Sequence, residues 1–161
     1  MNRSNLNYLA LGAVAMLAGC TTTAASSGDP QPHFSSLYST YLANCAQCHA
    51  PGAVGATSTT EKSLDFATQA AAYTSLSGTA TGLTGNQQAC NGVAFVVKDK
   101  PASSLLLAVL DSATRTAIDL TATPNCDHNA ISDMALKMGT PPSAAFLTAL
   151  NTWIANGAPN D

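Results

Sequence analysis

The stretch FSSLYSTYLANCAQCHAPG, residues 34–52, decides how the chain is read. Phe34, Leu37, Tyr38, Tyr41, Leu42 and Cys45 recur at helical steps and form one continuous apolar stripe. The stripe runs into Cys45-Ala46-Gln47-Cys48-His49, and Pro51-Gly52 breaks it. One amphipathic helix leading directly into a Cys-x-x-Cys-His motif is therefore predicted.

That motif has a chemical reason for its spacing. Two thiols three residues apart can reach the two vinyl groups of one porphyrin and form thioethers, and the adjoining His can place an imidazole nitrogen on the iron. A zinc site would need two further ligands at a second short spacing, and the sequence has no second Cys pair or His pair of that kind. A thioredoxin-type redox motif would need a βαβ context, which the pattern lacks. One covalent haem c, held by Cys45 and Cys48 with His49 as an iron ligand, is the expectation.

Upstream, the N-terminal residues read as an address. Arg3 opens a thin positive region, residues 9–18 are apolar, and Leu17-Ala18-Gly19-Cys20 closes them with small residues. The tetrapeptide resembles a bacterial lipobox, which makes residues 1–19 a signal peptide and Cys20 the lipidated residue. The apolar run is too short to span a bilayer comfortably. Residues 20–32, rich in Thr, Ser, Gly and Pro, read as a flexible tether, and residues 33–161 as the domain. Thr21, where Asp is absent, points to the periplasmic face of the outer membrane, with the cell surface or inner membrane as alternatives. The protein is thus expected to be exported and to meet a membrane through its lipid anchor.

Only 9% of the 161 residues are charged and the formal net charge is −3, so no basic field is available to hold nucleic acid. Of five cysteines, Cys20, Cys45 and Cys48 have the roles above, leaving Cys90 and Cys126. An oxidising compartment favours joining them, two buried free thiols being the alternative. The closed loop would contribute about 3–4 kcal/mol.

Further along, a second helix is expected over 65–77, stopped by Gly78. Residues 79–100 read as irregular and Gly-rich, with 93–97 the only strand candidate. Pro101 starts a leucine-rich helix over 103–110. Residues 112–142 read mostly as loop, with a possible helical turn around 130–136. Ser143 caps a last helix bearing Phe146, Leu147, Leu150, Trp153 and Ile154, which ends at Gly157. Trp153 and Tyr41 read as packing aromatics. The chain is mostly α.

Over 34–50 and 137–158 the sequence resembles the class I cytochrome c family, in which an N-terminal helix leads into CxxCH and a C-terminal helix crosses it beside one haem. The resemblance implies a cytochrome c-like fold with a long irregular middle insertion. It also implies a methionine sixth ligand just before the last helix, which falls on Met138 in Lys137-Met138-Gly139-Thr140-Pro141-Pro142. Met134, His128, His33 and an open position are the alternatives. His128 lies among Asn125, Asp127 and Asn129 and reads as solvated, and His33 as an exposed residue at the start of the first helix. The implied function is electron transfer to redox protein partners rather than enzymatic catalysis. The alternative is a haem-based sensor or enzyme subunit with an open or histidine sixth ligand.

Overall fold

The computed structural model describes residues 29–53, 64–118 and 125–161. Cys20, with the expected signal peptide and most of the tether, lies outside the described residues.

The architecture is mostly helical. Among the described residues six α-helices follow one another: α1 Phe34–Thr40, α2 Gln69–Leu76, α3 Leu105–Leu110, α4 Ser112–Ala117, α5 Met134–Lys137 and α6 Ala144–Ala155. Among the described residues there is no β-strand. The strand candidate at 93–97 contributes only an isolated antiparallel bridge, Thr79 to Ala94.

The two outer helices join through aromatic rings. Phe34 on α1 lies 5.3 Å from Trp153 on α6, ring centre to ring centre. Tyr41, just past α1, lies 4.8 Å from Phe146. Phe34, Leu37, Leu42, Phe146, Leu150, Trp153 and Ile154 are all buried, as the helical stripes require. Ser143 caps α6, its hydroxyl accepting from the Phe146 amide at 3.1 Å.

The first helix is shorter than its apolar stripe. α1 stops at Thr40, Tyr41 leaves helical geometry at φ −143°, and Leu42–Gln47 continues as a tighter 3-10 helix. Ser39, Thr40 and Tyr41 are weak helix formers, and the Tyr41 hydroxyl is drawn across the molecule to donate to the Thr140 carbonyl at 2.8 Å. The tertiary bond overrides the local period.

Side-chain competition with the backbone explains the other boundaries. Asp65 accepts from the Ala67 amide at 2.8 Å, so α2 starts later than the apolar pattern suggests, with Thr68 as its cap. Ser104, fully buried, accepts from the Val97 amide at 2.9 Å and bonds the Lys100 carbonyl at 3.1 Å. It separates a 3-10 turn, Pro101–Ser103, from α3. Among the described residues of 112–142, read mostly as loop, lie α4, which was not expected, and α5, which overlaps the helical turn expected around 130–136. Asp111 caps α4 by accepting from the Thr114 amide at 2.9 Å. Asp133 caps α5 by accepting from the Leu136 amide at 2.8 Å. The sulfur atoms of Cys90 and Cys126 are bonded, closing a loop of 36 residues through this middle region.

Candidate functional site

The 3-10 helix sets the geometry of the cysteine motif. A 3-10 turn takes three residues, so positions 45 and 48 come round to the same side. The Cys48 amide donates to the Cys45 carbonyl at 3.1 Å and the His49 amide to the same carbonyl at 2.8 Å. Phe66 then steadies His49. Its amide donates to the His49 carbonyl at 2.6 Å, and its ring meets the imidazole edge-on at 6.1 Å.

Cys45, Cys48 and His49 line one cavity of about 540 Å³. Its apolar walls come from Leu64, Phe66 and one face of α3, where Leu106, Val109 and Leu110 recur at helical spacing. A second cavity of about 260 Å³ adjoins it, and His49, Leu64, Leu106, Val109 and Met134 line both. The wall contributed by α3 was not assigned to the site from sequence. Its signal was the unbroken apolar run 105–110, which reads equally well as ordinary core.

The cysteines are uncommitted. Cys45 and Cys48 are both free thiols, the first partly buried and the second exposed. Burial, the larger cause, and the neighbouring Cys48 push the Cys45 thiol up to about 12, against a smaller opposing effect of its own backbone. Burial also raises the hydroxyl of Tyr41, with Cys45 adding to it. Among the described residues no three His, Cys, Asp or Glu side chains come together as a metal-binding group.

Met138 sits in the same cavity as the cysteine motif. It was expected on a loop, because Pro141 and Pro142 follow closely. It instead closes the single turn of α5, its amide donating to the Met134 carbonyl at 2.9 Å. Met134 and Met138 therefore share a face. The Asp133 cap starts this turn and Gly139, at φ +66°, ends it. The Tyr41 hydroxyl lies 3.9 Å from the Met138 sulfur while donating to Thr140.

The other histidines are elsewhere. His128 is exposed on the 127–131 turn and lines neither cavity. His33 pairs with Asp161, its Nδ1 lying 2.7 Å from the carboxylate. Asp161 also accepts from the Phe34 amide at 2.7 Å, which makes it the cap of α1 from 127 residues away in sequence. That contact was missed, since nothing local signals it.

Among the described residues no helix is long and apolar enough to cross a membrane. Comparison with protein-family models, curated proteins and solved structures found no match to this chain.

Proposed function

We propose that this chain is an exported, lipid-anchored electron carrier that holds one haem c. Cys45 and Cys48 would hold it as thioethers, with His49 and Met138 as the residues that would bind its iron. The observation that carries the reading is that these four side chains, brought from opposite ends of the domain, line one apolar cavity. Its size lies within the range of cofactor sites, roughly 300–1,000 Å³. The donor set fits such a group: two uncommitted thiols, an imidazole beside them and a thioether on α5.

When bound, the haem supplies reversible one-electron transfer at its iron. The residues of this chain hold and tune it. Phe66 fixes the backbone and one ring edge of His49. Leu106, Val109 and Leu110 exclude water, which lowers the local dielectric. A neutral thioether favours the ferrous state, so Met138 raises the potential relative to a second histidine. Tyr41, held by Thr140, places a hydroxyl beside that sulfur. The partners are redox proteins, and the lipid anchor on Cys20 keeps the carrier at the membrane.

The test is spectroscopic. Haem stain should stay with the polypeptide on a denaturing gel, and acid acetone should not extract it. The ferric protein should show the far-red charge-transfer band of a thioether on iron. Met138→Ala should abolish that band, lower the potential and open the iron to carbon monoxide. Extractable haem would overturn the covalent reading. Loss of the band in Met134→Ala alone would move the ligand one turn along α5. Loss of the native spectrum only in His128→Ala would make the site bis-histidine.

A further inference from the structure

We infer that Arg115 is a positioning residue for Met138, clamping the start of α5 to the wall of the cavity and so limiting how often the thioether leaves its place. The inference rests on the reading of Met138 as a residue that would bind the haem iron.

Arg115 on α4 is nearly buried, with a side chain 11% exposed. One guanidinium nitrogen reaches Asp133 Oδ2 at 2.6 Å and the other donates to the Ala108 carbonyl at 3.2 Å. Ala108 belongs to α3, whose neighbouring Val109 and Leu110 line the cavity. Asp133 uses its second carboxylate oxygen, Oδ1, to cap the Leu136 amide. A single side chain thus ties the cavity wall to the first turn of the methionine helix.

The tie matters because α5 is only four residues long. A helix of one turn does not persist on its own propensity, since nucleation is the unfavourable step. Two backbone bonds define its turn: Lys137 amide to Asp133 carbonyl at 3.2 Å, and Met138 amide to Met134 carbonyl at 2.9 Å. On the far side Tyr41 holds Thr140. Arg115 and Tyr41 therefore secure the two ends of the segment that presents Met138. The guanidinium fork can serve Ala108 and Asp133 together, which a lysine ammonium on a flexible stem does less well.

The experiment uses the haem-loaded full chain and follows imidazole displacing the thioether from ferric iron. At saturating imidazole the rate is set by opening of the methionine segment. Arg115→Met should raise that limiting rate by about tenfold, the loss expected when a charge-assisted pair is broken beside solvent. Arg115→Lys should raise it less. Asp133→Asn keeps a good N-cap residue but removes the charge, so it should match Arg115→Met. The double variant should exceed neither single one, because both remove the same interaction. Exchange of the Leu136 and Met138 amides with solvent should accelerate in parallel. Limiting rates within twofold of the unmodified protein, or effects of the two substitutions that multiply, would overturn the inference. An unmodified protein lacking the thioether band would instead sink the ligand reading, and the positioning role with it.

Discussion

The outer helices and the middle of the chain share one apolar core, but the middle adds ties of another kind. Between α1 and α6 the contacts are rings and aliphatic side chains: Phe34 on Trp153, Tyr41 on Phe146, with Leu37 and Leu150 fully buried beside them. Among the described residues between 77 and 133, α3 buries Leu105, Leu106 and Leu107 in the same core, but polar and covalent ties add fixed points to the backbone. Ser104 bonds the Val97 amide, Asn91 accepts from the Leu83 amide at 2.9 Å, and Cys90 is bonded to Cys126. Burial of a periodic face is non-directional and tolerant. Ties of the second kind fix the backbone at single points, with little periodicity to show for it.

That contrast can be broken by measurement. The largest loss should follow Trp153→Ala, which removes a side chain 1% exposed that packs on both Phe34 and Tyr73 and donates to the Pro159 carbonyl at 2.9 Å. About 3–5 kcal/mol of unfolding free energy should disappear, read from denaturant melts of the purified protein. A loss under about 1 kcal/mol would mean that the outer helices do not carry the core. Replacing Cys90 and Cys126 together by Ser should cost about 3–4 kcal/mol in the same assay. Loss of the thioether band in that double variant would show, in addition, that the middle region holds α5 in place. Indifference to both would leave the disulfide without a stabilising role.

The smallest effect belongs to the edge of the first region. The hydrogen bond from His33, then the Phe34 amide, hold the Asp161 carboxyl below its ordinary value. A carboxyl depressed in the folded state stabilises above its unfolded value, and that stabilisation fades as pH falls through the folded one. Asp161→Asn should therefore cost about 0.5 kcal/mol at neutral pH, and the difference from the unmodified protein should vanish as the pH is lowered below about 4. A deficit that persists in acid would assign the loss to packing rather than charge.

The same division decides what could be read in the sequence. The stripe from Phe34 to Cys45, the Ser143 cap and the run to Ile154 were legible because periodic burial is written residue by residue. The pairing of Cys90 with Cys126 followed from the chemistry of spare thiols. Cys45, Cys48, His49 and Met138 line one cavity, and of these Met138 was singled out only by the family resemblance. The break at Tyr41 was not legible, because its cause is a bond to Thr140, 99 residues away. Helix α4 was missed although Asp111 is a good cap, since residues 112–117 carry no apolar stripe. Met138 was placed on a loop because Pro141 and Pro142 follow closely, and the cap at Asp133 was not read. The apolar run of α3 could be read as core, but nothing in it said which of its faces meets the cysteine motif.

The capping of α1 by Asp161 has a topological consequence. The Phe34 amide, the Ser35 amide at 2.9 Å from the Asp161 carbonyl, and the His33 ring all meet the same residue, so residues 33–35 and Asp161 are already in contact. The domain is in this sense a ring with a nick, and the order of its parts along the chain is negotiable. A short Gly/Ser bridge from Asp161 to His33, with new ends cut at exposed Gly82, would leave those neighbours in place. In such a permuted chain the ribosome would deliver Met138 before it delivered Cys45, yet the folded cavity would bring them together unchanged.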